Sequence, residues 1–134
     1  MKDILIVGGC GYIGGFLTDY LSENGYAVTV YDNLLFETRF LKKCEFIYGD
    51  ARDYDKLNSF IHKYDAVIWL AGLVGDGACA VNPELTKQIN VDTVKWLVDN
   101  FEGKIVFPST CSVYGMNNAL ISESAKPNPL SLYA

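Results

Sequence analysis

The stretch Ile4–Gly15, ILIVGGCGYIGG, decides the fold. Ile4 to Val7 is a short unbroken apolar run, the pattern of a strand buried on both faces. Gly8, Gly9, Gly11 and Gly14 follow at once, and a helical pattern opens after them. Glycine lets the chain turn sharply off the strand and lets backbone N–H groups approach a pyrophosphate with no Cβ in the way. Gly14 lets the new helix lie close against the strand. The helix N-terminus then directs free N–H groups and a partial positive charge at the phosphates. Glycine-rich turns alone are common, but here a strand precedes, a helix follows, and an acid closes the next strand. The stretch therefore predicts a dinucleotide site.

Working outward, Tyr12 to Asn24 reads as the helix, with Ile13, Leu17 and Leu21 as its apolar stripe and Asn24-Gly25 as its end. Tyr26–Tyr31 (YAVTVY) is a second strand, rich in β-branched residues. It runs into Asp32-Asn33. A carboxylate at this point is placed to accept hydrogen bonds from an adenosine ribose diol and to repel a 2′-phosphate, which favours NAD over NADP. The alternative is an Asx turn closing the strand; the glycine loop upstream favours the ribose.

Leu34–Lys43 reads as irregular or briefly helical, and Glu45–Tyr48 as a third strand. Asp53 is the expected N-cap of a helix over Tyr54–Lys63. Asp50 sits at a strand's carboxyl end, where open α/β sheets bind ligands, and both an adenine contact and a turn role fit it. The fourth strand, Ala66–Leu70, runs into Ala71-Gly72, and Gly72–Asn82 reads as a loop of small residues. Asn82 then caps a long helix opening at Pro83, a favoured first helical position. Asn90, Val94, Leu97 and Phe101 fall on one side of it, expected to face the sheet. Leu85, Ile89 and Trp96 form a second apolar stripe that must also be buried. The fifth strand is Lys104–Pro108, and the pattern as a whole predicts a Rossmann-type doubly wound parallel sheet in the order 3-2-1-4-5.

Bulk properties agree. A chain of 134 residues, half of them apolar, is one domain able to bury roughly two-thirds of its surface. A net charge of −5 argues against nucleic acid and anionic membranes as partners. The opening MKDILIVGG is too short in its apolar run for a signal peptide or a membrane span. Cys10, Cys44, Cys79 and Cys111 have no metal-ligand spacing and His62 is the only histidine, so no metal site is expected and a reducing, cytoplasmic setting is.

The pieces together resemble the N-terminal half of the extended short-chain dehydrogenase/reductases, the nucleotide-sugar epimerases and dehydratases. The matching residues are GGCGYIGG, Asp32-Asn33-Leu34, Asp50, Leu70-Ala71-Gly72-Leu73, Asn90-Val91, Ser109-Thr110 with Val113-Tyr114-Gly115, and the final SLYA. The resemblance implies that Gly8, Gly11 and Gly14 form the phosphate loop, with Tyr12 and Ile13 touching the pyrophosphate through their backbone. It implies Asp32 and Asn33 at the adenosine ribose, Asp50 and Ala51 bordering the adenine, Leu70, Ala71 and Gly72 beneath the cofactor, and Asn90 approaching it from the long helix. Thr110 would hydrogen-bond the reacting sugar oxygen, and Tyr133 would be the general acid/base for hydride transfer.

A free tyrosine, with a pKa of about 10, is a poor base. In the family a lysine four residues on lowers that value; the position falls beyond Ala134. The expectation is therefore a partial NAD-binding domain over 1–134, without the later strands and the substrate-binding part, inactive by itself. Cys111 and Ser112 stand where sugar dehydratases place acidic residues, which leaves epimerisation or keto-reduction of a nucleotide sugar. A non-catalytic NAD-binding or interaction module of the same fold is the alternative. The stripe Leu85, Ile89 and Trp96, together with an uncovered edge on the fifth strand, leads to an expected homodimer.

Overall fold

In the computed structural model, which describes residues 2–134, five strands form one parallel sheet in the order β3-β2-β1-β4-β5. They are β1 (Asp3–Val7), β2 (Ala27–Asp32), β3 (Glu45–Tyr48), β4 (Ala66–Trp69) and β5 (Lys104–Val106). The fold is the expected one. β1 lies at the centre because its apolar run can be covered on every side: Ile4 pairs with Val28 of β2 and with Ala66 of β4.

Strand alternation then sorts the apolar residues into two cores. Leu5, Val7, Tyr31, Val67 and Trp69 point to one face, where they meet Leu57, Ile61, Leu97 and Phe101. Ile4, Ile6, Val28 and Val30 point to the other, where Leu17 and Leu21 cover them. Both faces being buried, no position of β1 after Asp3 can be polar. Burying a side chain such as Leu5 or Ile6, both fully inaccessible, contributes about 1.5–3 kcal/mol.

The first helix, α1 (Tyr12–Glu23), packs on this second core. Its contact face differs from the expected stripe: Gly14 and Thr18 are buried, Leu17 and Leu21 half-buried, and Ile13 is exposed. The reason is the close approach at Gly14, which rotates the helix so that position 13 falls off the contact. A Cβ on Gly14 would lie 2.6 Å from Gly9 Cα.

Asp53 caps α2 (Tyr54–Asn58) as expected, its side chain accepting from Lys56 N. The helix stops sooner than expected, however, and Ile61–Lys63 forms a separate tight turn. Residues expected as loop form a helix, α3 (Asp76–Val81). Asn82 accepts from Leu85 N at 3.0 Å and so starts α4 (Pro83–Lys87). A wide π turn, Gln88–Asp92, joins it to α5 (Thr93–Asn100).

That turn changes which residues share a face. Leu97 and Phe101 reach the sheet core with Val94 beside them, as expected. Asn90 does not: it turns to the loop after β4. The second stripe is not left uncovered either. Leu85 and Ile89 line the cleft described below, and the Trp96 ring stacks on Tyr54 at 5.1 Å. Of that stripe only Trp96 is covered by a stacked ring within the chain; Leu85 and Ile89 are half-buried at the cleft. β5 ends at Val106, two residues earlier than expected, and Val106 and Phe107 stay about half exposed at the sheet edge.

Candidate functional site

At β1 the strand order switches, because β2 and β3 lie to one side and β4 and β5 to the other. Loops leaving neighbouring strands in opposite directions open a crevice at their carboxyl ends. There the structure has a cavity of about 380 Å³.

Its floor is the glycine loop. Gly8 has φ +85, and a Cβ on it would lie 2.4 Å from Ala71 N. A Cβ on Gly9 would meet Val30 at 2.6 Å. These two glycines are demanded by the chain's own packing. Gly11 is not: a Cβ there would meet only Gly8 O, at an ordinary 3.7 Å. Gly11 lines the cavity and is the N-cap of α1, with no side chain capping the free N–H groups behind it. Uncapped N–H groups at a helix start, together with a bare backbone at the cavity wall, form a cradle for an anion.

Asp32 ends β2 at the cavity and makes the Asx turn that the sequence offered as the alternative to a ribose contact, together with a brace on the glycine loop that the sequence did not offer. Its Oδ2 accepts from Cys10 N at 3.0 Å, bracing the glycine loop, and its Oδ1 accepts from Leu34 N at 2.7 Å, closing an Asx turn. A carboxylate offers about four acceptor sites; the two backbone N–H groups and the Cys10 thiol do not exhaust them, so acceptor capacity stays available to a ligand hydroxyl. Asn33 makes the next such turn through Leu35 N at 3.1 Å. Between them Leu34 is held at φ 56, a left-handed conformation that a branched aliphatic residue adopts only when its surroundings enforce it. This strained corner brings Leu35 and Phe36 to the cavity wall.

The far wall comes from the loop after β3. Gly49 can carry no Cβ, which would lie 2.2 Å from the Tyr31 hydroxyl; that hydroxyl donates to Asp50 O at 2.8 Å. Burial, reinforced by Asp53 and Asp50, pushes the Tyr31 phenol well above its ordinary value, so it stays a donor. Asp50 is gripped by Arg52, whose hydrogen bonds hold its carboxyl below the usual carboxylate range. Cys10, beside Asp32, is pushed up to about 12 by burial and then by that carboxylate, which makes it an inert thiol at neutral pH.

The site residues named from sequence divide accordingly. Gly8, Gly11, Asp32, Asn33, Asp50, Ala51, Leu70, Ala71 and Gly72 all border the cavity. Gly14 lies behind the loop as a packing residue, and the side chains of Tyr12 and Ile13 point to solvent. Asn90 spends both ends of its amide on one residue, accepting from Leu73 N and donating to Leu73 O, each at 2.8 Å. It holds the loop beneath the cavity instead of lining it.

Thr110 and Tyr133 lie outside the cavity wall. Thr110 caps the turn Cys111–Tyr114 by accepting from Ser112 N at 3.2 Å. Tyr133 is half-buried on a segment held by Ser131, whose hydroxyl donates to Asp76 at 2.5 Å and accepts from Ala134 N at 3.1 Å. Arg52, Phe36, Leu85 and Ile89 were not foreseen at the site. Arg52 had a signal, two residues after an acid at a strand end; Phe36 had none.

Residues 4–134 match the NAD dependent epimerase/dehydratase family. The chain belongs to this family. Among its relatives, UDP-glucose 4-epimerase of Rhizobium meliloti is 34% identical over 140 residues, which is 98% of this chain and 43% of that protein. The crystal structure of UDP-glucose 4-epimerase from Brucella ovis in complex with NAD superposes with a TM-score of 0.90 at 31% identity, covering 99% of this chain and 43% of that one. A Thermotoga maritima UDP-glucose 4-epimerase solved with UDP-glucose gives 0.86 at 26% identity, covering 98% and 46%. The chain spans less than half the length of these epimerases. No helix among the described residues is long and apolar enough to cross a membrane.

Proposed function

We propose that this chain is the NAD-binding portion of a nucleotide-sugar epimerase or keto-reductase. The observation that carries the reading is the cavity at the switch in strand order, where Gly11 is bare for no reason internal to the chain and Asp32 keeps acceptor sites free. The uncapped start of α1 and the glycine loop hold the pyrophosphate, Asp32 and Asn33 the adenosine ribose, and Asp50 and Ala51 the adenine edge. Leu70, Ala71 and Gly72, fixed from behind by Asn90, support the cofactor from below.

When bound, NAD supplies a hydride acceptor for a sugar carbinol. The chain's part in that step is proton handling: Tyr133 takes the hydroxyl proton on its phenol oxygen while Thr110 hydrogen-bonds the same sugar oxygen. Cys111 and Ser112 offer no acid for eliminating water, so epimerisation or keto-reduction is preferred to dehydration. The four cysteines are all free, which suits a cytoplasmic setting. A homodimer belongs to the same reading, with the helical stripe of Leu85, Ile89 and Trp96 as its contact.

Calorimetry with both dinucleotides tests the cofactor. NAD should bind more tightly than NADP, and Asp32→Ala should weaken NAD by about 1–3 kcal/mol through loss of charged hydrogen bonds. Equal affinity for NADP in the unaltered chain would remove the ribose role from Asp32. The polypeptide 1–134 should epimerise no nucleotide sugar by itself in a coupled assay, because Thr110 and Tyr133 lie outside the cavity wall; measurable turnover would refute that.

A further inference from the structure

The segment Ser131–Ala134 carries Tyr133, and its tie to a distant part of the chain is a single side-chain contact. The Ser131 hydroxyl donates to Asp76 Oδ1 at 2.5 Å, across 55 positions of sequence. The same oxygen accepts from Ala134 N at 3.1 Å. A serine oxygen that accepts from the N–H three residues on has the geometry of a helix N-cap, and here it sets the first turn around Tyr133. A hydroxyl has one proton and two lone pairs. With the proton committed to Asp76, the lone pairs are left for Ala134 N. The carboxylate thus fixes the direction in which the turn opens as well as its place.

Asp76 can anchor the turn because what lies behind it is itself held. It opens α3 two residues after Val74 of the cavity wall. Leu73 donates its N–H to the Asn90 amide and accepts from it, each at 2.8 Å, and its oxygen also accepts from Cys79 Sγ at 3.3 Å. Cys79 is fully buried. Its N–H donates to Gly75 O at 3.1 Å, and its oxygen accepts from the Thr86 hydroxyl at 2.9 Å. Asp76 is exposed, so water competes for it and the bond to Ser131 contributes little to folding. What the bond does is choose a position for the turn.

We propose that Asp76 is a positioning residue for Tyr133. Through Ser131 it docks the turn bearing the phenol next to the wall formed by Leu73 and Val74, and so links the loop beneath the cofactor to the group that handles the proton. The proposal rests on the role given to Tyr133 above and adds the residue through which this chain holds it. Asparagine can replace Asp76, because its amide oxygen accepts the same hydroxyl proton; alanine cannot.

The test is nuclear magnetic resonance on the 134-residue chain, read at the backbone of Leu132–Ala134 and at the Tyr133 ring, with calorimetry of NAD alongside. Asp76→Ala and Ser131→Ala should each lower the order parameters of these residues from roughly 0.8 to below about 0.6 and move the ring signals towards those of free tyrosine. Combining the two changes should add nothing further, since both cut one connection. Asp76→Asn should keep order and ring signals close to those of the unaltered chain. NAD affinity should move by less than about twofold throughout, because Asp76 and Ser131 lie outside the cavity wall. Circular dichroism establishes that each variant is folded; should Asp76→Ala fail to fold, Ser131→Ala and Asp76→Asn decide. If the turn is already mobile in the unaltered chain, if Asp76→Ala leaves it ordered, or if Asp76→Asn loosens it equally, the positioning role is wrong and the role of Tyr133 stands. If the variants behave as expected but NAD does not bind the unaltered chain, the cofactor reading falls and takes the positioning role with it.

Discussion

The glycine-loop cavity and the segment from Phe107 to Ala134 are built in opposite ways. Around the cavity nearly every backbone choice is enforced by a neighbour: Gly8 by Ala71, Gly9 by Val30, Gly14 by Gly9, Gly49 by Tyr31. Asp32 ties two loops together, and the strands beneath are inaccessible at Leu5, Ile6, Val30 and Trp69. The later segment has one tight turn, Cys111–Tyr114, and few ties, chiefly Asn128 N to Val113 O at 2.8 Å and Ser131 to Asp76. Many of its apolar residues face solvent: Met116 is 80% exposed, Leu130 66% and Leu120 fully. The cofactor end is thus fixed by this chain's own contacts, whereas the residues assigned to proton transfer hang on those few ties.

The contrast breaks most readily at Gly8. Alanine there must both adopt φ +85 and push its Cβ into the Ala71 backbone, so Gly8→Ala should cost about 3 kcal/mol or more in a urea titration. A loss below half of that would mean the loop relaxes freely and is not over-determined. Trp96→Glu comes next. Because Trp96 stacks on Tyr54 and packs against the sheet core, the change should lower stability by about 2 kcal/mol and, as Trp96 also belongs to the proposed dimer stripe, halve the mass in light scattering. If the particle keeps its mass, the stripe is no intersubunit contact. In the exposed segment the same measurement should find almost nothing: Leu120→Ser should shift stability by no more than about 0.5 kcal/mol. A larger loss would show that this segment packs in solution as tightly as the cavity does.

Much of the site was legible because its signals are local. The order strand, glycines, helix, acid is read within Ile4–Asp32, and each residue type there answers to backbone chemistry that neighbours in sequence decide. Asp53 and Asn82 as caps were readable for the same reason, since a cap bonds an N–H within three residues. The helical faces were harder. A period of 3.6 residues assumes an unbroken helix, and the π turn Gln88–Asp92 shifts the phase between Leu85 and Leu97. Ile13 failed for a related cause, since which face of α1 meets the sheet depends on how closely Gly14 lets it approach.

The sequence by itself therefore determined the strand order, the two-sided core and the place of the cavity, because alternation, apolar runs and glycine chemistry act over a few residues. Only the tertiary structure decided which distant partners the polar groups around the cavity take. That Asp32 braces Cys10, that Asn90 serves Leu73, and that Arg52 reaches Gln88 are matters of which partner lies within 3.5 Å once distant segments meet. A hydrogen bond has that reach and no more, and sequence spacing carries no record of it.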